Sequence, residues 1–293
     1  MADGRFTYNN YPIVPQPLAT EGFSNCPVDW NTRDVRQYGV DYIQINCKGQ
    51  HTLIFEGSTE VNLIPADPYS GEYTFWSNKG DESDMTLTQA FDFRDQTGPL
   101  TLSYRTWFDI EENWDYVYLV ASTDGGTTWE MVQTPSGTAE DPIGSNYGWG
   151  YTGSSGIGNG WIKEEVDLSP FAGQEVLLRF EYITDAGVNG EGLLLDDVRI
   201  TEIGYFSDFE TDDGGWEAAG FVRIQNQLPQ TYRLALISMG DTSQVEYLTL
   251  EADNRAEIPL TFGDGVDEVV LVVTATTRFT RTPAAYRFSI ESP

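Results

Sequence analysis

The clearest hydrophobic pattern in the chain lies between residues 116 and 132. Residues 116–121 are apolar or aromatic at both alternating sets of positions, which indicates a strand covered on both faces. Asp124, Gly125 and Gly126 follow, and glycine readily adopts the positive φ that a tight hairpin turn needs. Residues 127–132 are therefore predicted to return as the second strand of a β-hairpin.

Short segments with period-two alternation recur along the rest of the chain, separated by turn residues. They include residues 85–93, 100–108, 174–182 and 192–200, and a further series between 221 and 290. The chain shows no sustained helical periodicity, and its 13% aromatic content and 29 glycines are typical of a β-protein with many turns. The pattern predicts an all-β fold.

The organisation along the chain suggests three parts. Residues 1–64 are interpreted as an extended, aromatic and proline-punctuated N-terminal segment followed by a short β unit. Residues 65–203 form a longer β module. Residues 204–293, with short strands at regular spacing, are predicted to form a second, smaller immunoglobulin-like β-sandwich.

The net charge of the chain limits the classes of partner that it is expected to bind. Forty-six acidic residues against 16 basic ones give a net charge of −30, which repels nucleic acids and anionic lipids and suits divalent cations. No apolar run reaches 18 residues, so we expect no membrane insertion. No signal peptide is recognisable at Met1, which indicates either a processed secreted protein or an internal piece of a longer one.

The two cysteines, Cys26 and Cys47, lie 21 residues apart without a metal-binding spacing. A disulfide is the favoured interpretation and would stabilise the fold by roughly 3 kcal/mol. The alternative is a pair of buried thiols in a cytosolic protein.

Acidic side chains concentrate in two groups that are candidate calcium ligands. Carboxylates in number, without cysteine or histidine, suit this hard cation, and the alternative for each group is a solvated acidic turn. If the first and last strands of the longer module lie side by side, the carboxylates of the first of these groups could lie close together. The first group is Asp81, Asp84, Glu111, Asp115, Asp196 and Asp197, and the second is Asp208, Glu210 and Asp212.

Aromatic residues concentrate in the long loop between residues 134 and 161 and are candidates for ligand binding. They are Tyr147, Trp149, Tyr151 and Trp161. Exposed rings of this kind stack on sugars or anchor protein partners. Equally, they could cap the open end of a sandwich.

Five segments in order resemble one protein family. They are residues 75–88, Asp109-Ile-Glu-Glu-Asn-Trp-Asp-Tyr116, Ser122-Thr-Asp-Gly-Gly-Thr-Thr-Trp129, residues 166–169 and Asn189-Gly-Glu-Gly-Leu-Leu-Leu-Asp-Asp-Val198. The set is similar to the non-catalytic, MAM-like C-terminal region of secreted bacterial metallopeptidases of the immune inhibitor A type. The resemblance covers roughly residues 36–235 and implies a jelly-roll β-sandwich for residues 65–203.

The chain departs from those peptidases in lacking His-Glu-x-x-His, the motif that holds catalytic zinc. His51 is the single histidine and is interpreted as an ordinary strand residue, so no enzyme activity is expected of this chain. The leading hypothesis is a calcium-stabilised, extracellular or cell-surface module that binds a protein or glycan, or supports an enzyme domain. The alternatives are a structural subunit of a surface filament or layer, and a carbohydrate-binding module or unrecognised glycosidase.

Overall fold

The computed structural model describes residues 21–158 and 160–292, which divide into two compact units. Residues 62–227 form the central unit. The described chain on either side of it, residues 21–61 and 228–292, forms the terminal unit. Both units consist of β-strands, which confirms the all-β prediction.

The strands are numbered along the chain. Before the central unit come β1 (Glu21–Phe23), β2 (Val28–Val35), β3 (Asp41–Ile45), β4 (Gly49–Gly57) and β5 (Glu60–Val61). The central unit contains β6 (Tyr73–Trp76), β7 (Asp84–Asp92), β8 (Thr101–Asp109), β9 (Tyr116–Ser122), β10 (Glu130–Met131), β11 (Gly150–Tyr151), β12 (Ile162–Asp167), β13 (Glu175–Ile183), β14 (Gly192–Ile200), β15 (Tyr205–Ser207), β16 (Glu217–Ala219) and β17 (Val222–Gln225). After it come β18 (Leu228–Pro229), β19 (Tyr232–Gly240), β20 (Gln244–Leu248), β21 (Arg255–Phe262), β22 (Val266–Ala275) and β23 (Ala284–Glu291). Two 3₁₀ turns, Ser169–Phe171 and Thr201–Ile203, lie in the central unit.

The central unit is a sandwich of two antiparallel sheets. One has the order β10-β9-β13-β7-β16, with β11 also paired to β9, and the other has the order β12-β8-β14-β6-β17, with β15 paired to β14. Their inner faces share one apolar core, in which Leu119 and Phe180 of the first sheet pack with Leu102 and Leu193 of the second. This arrangement confirms the predicted jelly-roll β-sandwich.

Strand β9 is buried along its whole length, as its sequence predicted. Alternate residues enter the core between the sheets, while Tyr116, Tyr118 and Val120 form a second cluster on the outer face with Trp129. Gly125 and Gly126 have φ of +72° and +87°, and β10 returns antiparallel to β9. The predicted hairpin is therefore present.

The terminal unit is a smaller sandwich that uses strands from both sides of the central unit. One sheet has the order β1-β3-β22-β19-β20 and the other β2-β23-β4-β21, while β5 and β18 form a separate pair. Ile43 and Leu271 of the first sheet share a core with Phe55 and Phe288 of the second.

These units differ from the boundaries expected at residues 64 and 203. Strands β3 and β4 are not a separate N-terminal unit, because β3 pairs with β22 and β4 lies between β21 and β23. The central unit continues past residue 203, because β16 and β17 each add a strand to one of its sheets. The extended segment expected within residues 1–64 falls largely on residues 1–20, outside the described residues.

Candidate metal centre in the central unit

Three strand ends of the first sheet of the central unit meet at one point. Ile183, the last residue of β13, is paired with Tyr116 at the start of β9 and with Asp84 at the start of β7. The loops next to these strand ends must therefore lie side by side. They carry Glu111 and Asp115 before β9, Asp185 after β13 and Asp81 before β7.

Glu111, Asp115 and Asp185 form the centre of this acidic cluster. One carboxylate oxygen from each lies within 4.8 Å of the others. Asp115 is fully buried, and its Oδ1 accepts a hydrogen bond from the backbone N–H of Asp185 at 2.8 Å. The hydroxyl of Tyr182 lies 3.4 Å from Oδ2 of Asp115. The contact to the Asp185 backbone fixes the loop after β13 against the loop before β9.

Backbone contacts hold the neighbouring loops in register. The N–H of Glu82 donates to the carbonyl of Asp185 at 2.6 Å, and the N–H of Thr184 donates to that of Ser83 at 3.0 Å. Asp115 closes a turn by donating its N–H to the carbonyl of Glu111 at 3.2 Å. The cluster is therefore held by main-chain hydrogen bonds between the loops as well as by the contact of the Asp115 carboxylate with the Asp185 backbone.

The electrostatics of the cluster disfavour its charged form. Burial, followed by the charges of Asp185 and Asp81, raises the pKa of Glu111. Burial is also the main reason that the pKa of Asp115 rises to about 6, with the charges of Asp185 and Glu111 adding to it. Oε2 of Glu111 is buried and has no hydrogen-bond donor among the described residues. An unpaired, buried carboxylate oxygen beside like charges is costly unless a cation compensates it.

The donor set fits a hard divalent cation. Ca²⁺ binds six to eight oxygens from carboxylates, carbonyls and water, and Glu111, Asp115 and Asp185 would supply the carboxylates. Asp81 is oriented next to them by Asn189, whose Nδ2 donates to Oδ1 of Asp81 at 2.6 Å. Sequence reasoning identified Asp81, Glu111 and Asp115 but missed Asp185. An acidic residue directly after a strand is the available signal, but the strand register that places it here is not visible in sequence.

The other acidic residues of the first group lie elsewhere and have structural partners. Asp196 is buried in β14 and accepts hydrogen bonds from the backbone N–H groups of Tyr69 and Ser70 at 3.0 and 3.2 Å. Asp197, after a break in strand register, accepts from the hydroxyl of Ser70 at 2.9 Å. The expected meeting of this pair with the cluster does not occur, because both carboxylates anchor the 69–70 loop instead.

Asp84 also lies outside the three-carboxylate set. It stands at the start of β7, beside Glu181 of β13, and it adds to the effect of burial in raising the pKa of Glu181. Among the described residues, the three-carboxylate set around Glu111 is the one acidic group with this geometry.

The second predicted group, Asp208, Glu210 and Asp212, does not share one face of a strand. Phe209 has φ of +61°, which breaks the extended alternation on which that prediction depended. The carboxylates instead accept backbone hydrogen bonds: Oε1 of Glu210 from the N–H groups of Glu72 and Tyr73 at 3.0 and 2.9 Å, and Asp208 and Asp212 from nearby turn residues. These contacts are turn and loop anchors.

The four aromatic candidates for ligand binding occupy different environments. Tyr147 is 71% exposed, whereas Tyr151 is 1% exposed and its hydroxyl lies 2.6 Å from that of Tyr104 in the core. Tyr151 therefore presents no ring face to a ligand, which at this residue agrees with the packing alternative and not with ligand binding. Trp149 and Trp161 are half-buried and donate to backbone carbonyls at 2.8 and 2.9 Å.

The predicted disulfide between Cys26 and Cys47 is present in the terminal unit. Its Cα atoms are 5.9 Å apart, within the usual range for such a bond. It links the segment before β2 to the connection between β3 and β4.

A model of the family described as Immune inhibitor A-like, MAM domain matches residues 57–226, which is 170 of the 293 residues. The chain belongs to this family. The match covers the central unit almost completely, including the acidic cluster, and it confirms the resemblance found in the sequence.

Three curated proteins are similar to this MAM-domain chain over part of their length. It is 33% identical over 178 residues to Immune inhibitor A of Bacillus thuringiensis subsp. alesti, covering 57% of this chain and 24% of that protein. It is 32% identical over 133 residues to the pre-pro-metalloprotease PrtV of Vibrio cholerae, covering 45% and 13%, and 25% identical over 142 residues to Bacillopeptidase F of Bacillus subtilis, covering 47% and 9%.

The matches therefore span less than a quarter of each of these relatives. Among solved structures, infectious bursal disease virus Gx strain aligns with a TM-score of 0.12 at 11% identity, over 95% of this chain and 44% of the viral one, a likeness too weak to inform the fold. Within residues 21–158 and 160–292, no helix has the length and apolar character needed to cross a membrane.

Proposed function

We propose that this MAM-domain chain is a non-catalytic, extracellular module that is stabilised by calcium and supports a secreted metallopeptidase-like protein. Two relatives are named as a metalloprotease and as Immune inhibitor A, and this chain aligns with a minor part of each. The single histidine cannot supply the His-Glu-x-x-His zinc motif. A disulfide in the terminal unit is typical of proteins in oxidising compartments.

The observation that carries the calcium proposal is the unpaired Oε2 of Glu111. This oxygen is buried next to Asp115 and Asp185, and a bound cation would convert their repulsion into coordination. Because the loops are already fixed by backbone hydrogen bonds, binding would need little reorganisation of the main chain. The cation would join the loops before β9 and after β13.

Thermal unfolding in calcium and in EDTA tests this role. At a hundredfold excess of calcium over Kd, binding would stabilise the native state by about 2.7 kcal/mol, so chelation should lower Tm by several degrees. Readdition of calcium should restore Tm, and magnesium should do so poorly, because it prefers a smaller octahedral site. Equal melting curves in EDTA and millimolar calcium, with no metal found by native mass spectrometry, would refute it.

The most exposed aromatic residue of the 134–161 loop supports a partner-binding role for the same module. Tyr147 presents its ring to solvent, and such a side chain suits stacking on a sugar or anchoring a protein. A glycan array with the wild type and Tyr147→Ala would test the sugar alternative. Binding that is unchanged by the substitution would exclude this ring as the contact.

An assembly role is the second candidate, and an edge strand of the terminal unit favours it. Within the described chain β20 pairs with β19 alone, and it exposes Val245 and Tyr247 by 59% and 74%. An edge of this kind can accept a strand from a neighbouring molecule. Size-exclusion chromatography and negative-stain microscopy of the wild type and Val245→Lys would test this, since only the wild type should form ordered polymers.

A further inference from the structure

A second cluster of metal-ligating atoms lies in the terminal unit, outside the residues of the MAM match. A ring nitrogen of His51 lies within 4.8 Å of the sulfur atoms of both Cys26 and Cys47. Cys26 precedes β2, Cys47 lies in the connection between β3 and β4, and His51 is part of β4. Two segments of the chain, one around Cys26 and one from Cys47 to His51, therefore meet at this point.

The hydrogen bonding of His51 defines which of its ring nitrogens keeps a free electron pair. Nε2 lies 3.0 Å from the carbonyl oxygen of Lys48. A carbonyl oxygen only accepts, so Nε2 carries the hydrogen, and in the neutral ring Nδ1 is left with its lone pair. Nδ1 is buried and has no hydrogen-bond partner among the described residues. A buried polar atom without a partner is rare in native proteins and calls for an explanation.

The ring is also held in place by its neighbours. His51 is paired with Leu260 of β21, and its edge packs against the ring of Phe262 at a centroid distance of 6.3 Å. The Lys48 carbonyl has the role of an outer-shell partner, which fixes the tautomer and direction of a metal-binding histidine. Nδ1 is therefore oriented before any ligand arrives.

We propose that, when the Cys26–Cys47 disulfide is reduced, the two sulfurs and Nδ1 of His51 form a binding site for Zn²⁺ or a similar thiophilic cation. Two thiolates and one imidazole, with a water as the fourth ligand, make a tetrahedral zinc site. Its donor atoms would lie roughly 3.5 Å apart, and both sulfurs already lie within 4.8 Å of a ring nitrogen of His51. Small side-chain rotations would suffice.

The chemistry balances with a phosphine as reductant. Phosphorus attacks one sulfur, the S–S bond breaks, and water supplies the oxygen of the phosphine oxide and the protons of two thiols. Zinc then displaces the two thiol protons to solvent and forms two Zn–S bonds, while Nδ1 donates its electron pair to the metal. A metal link thereby replaces the covalent link between the same segments.

The test uses the full chain, reduced by a phosphine under anaerobic conditions, with Co²⁺ as the spectroscopic probe. The reduced wild type should show a thiolate-to-cobalt charge-transfer band that saturates at one equivalent, and zinc should remove it. The oxidised chain has the same acidic surface and should show no such band. His51→Ala and His51→Gln should each weaken zinc binding by at least about tenfold. Glutamine keeps a donor for the Lys48 carbonyl but has no imidazole nitrogen.

Several results would overturn the proposal. They are the absence of a charge-transfer band in the reduced wild type, and a spectrum and zinc affinity that are unchanged in both His51 variants. Melts of the oxidised variants serve as the control for folding. If reduction unfolds the terminal unit, recovery of its β-sheet circular dichroism on zinc addition supports the site, and failure to recover contradicts it. If Nδ1 contacts only water and binds no metal, the His51 substitutions should leave the spectrum and the zinc affinity unchanged, which contradicts the proposal.

Discussion

Asp115→Asn should stabilise the central unit in the absence of calcium and lose this advantage when calcium is bound. Asparagine keeps an oxygen that can accept the backbone N–H of Asp185, now 2.8 Å from Oδ1. Its amide can face the hydroxyl of Tyr182, which can accept as well as donate. The substitution therefore removes a charge from the cluster while preserving the shape and contacts of the side chain.

The magnitude follows from the electrostatics of Asp115. Burial, with the charges of Asp185 and Glu111, raises its pKa from an ordinary 3.8 to about 6. At about 1.4 kcal/mol for each tenfold change in proton affinity, the charged form costs up to roughly 3 kcal/mol more in the folded chain than in the unfolded one. In EDTA at pH 8 the variant should be more stable by up to that amount, or roughly 6 to 12 °C in Tm.

The pH dependence has a definite sign. A raised pKa in the folded state means that the contribution of Asp115 to stability is fully present below pH 4 and is lost as the pH rises through about 6. In EDTA the advantage of Asp115→Asn should therefore be full at pH 8 and disappear near pH 4. In saturating calcium at pH 8 the wild type gains binding energy that the variant largely lacks, so the two curves should approach each other or cross.

Tryptophan fluorescence during urea unfolding is a suitable assay, because seven of the eight tryptophans lie within residues 62–227 and only Trp30 lies outside. Glu112→Gln is the matched control, since Glu112 is exposed and outside the three-carboxylate set but removes the same charge. It should change neither the stability in EDTA nor the response to calcium. If Asp115→Asn lowers stability in EDTA, or keeps the full calcium response, the electrostatic account of the cluster is wrong.

Three further predictions concern other parts of the chain. Burial raises the pKa of Asp196 to about 7, so wild-type stability should fall as the pH rises from about 4 to 7, and Asp196→Asn should flatten this slope in urea melts in EDTA. Tyr151→Ala should cost about 3 to 5 kcal/mol as a large-to-small change in the core, whereas Tyr147→Ala should cost less than about 0.5 kcal/mol in the same melts. Replacing Cys26 and Cys47 together by serine should cost about 3 kcal/mol, measured by circular dichroism in urea, and an unchanged midpoint would contradict the stabilising role of the disulfide.

The fold class, one hairpin and the family resemblance could be predicted from the sequence, which also favoured a disulfide over two buried thiols. Residues 116–121 are apolar at both alternating sets of positions, and a strand with that composition must be covered on both faces, as β9 is. Gly125 and Gly126 specified the turn, because a hairpin of this length needs positive φ there. These features depend on neighbouring residues, so a local pattern is sufficient to reveal them.

Which carboxylates lie close together depends on strand pairing, which the sequence did not reveal. The antiparallel register of β13 with β9 sets Ile183 opposite Tyr116, and this places Asp185 beside Asp115, 70 residues earlier in the chain. Register is a property of paired strands and leaves no mark on either strand alone. Asp196, equally acidic in sequence, instead anchors a loop through two backbone N–H groups.

Long-range contacts also set the division of the chain into units and the exposure of the aromatic residues in the 134–161 loop. Strands β3 and β4 join a sandwich with β19 to β23, and the nearest of the paired residues, Glu56 and Arg255, are 255 − 56 = 199 positions apart, a distance that no local alternation encodes. Tyr147 and Tyr151 look alike in the sequence, yet one ring is exposed and the other is packed in the core near Tyr104. Residue type sets what a side chain can do, and long-range packing decides which of these roles it has.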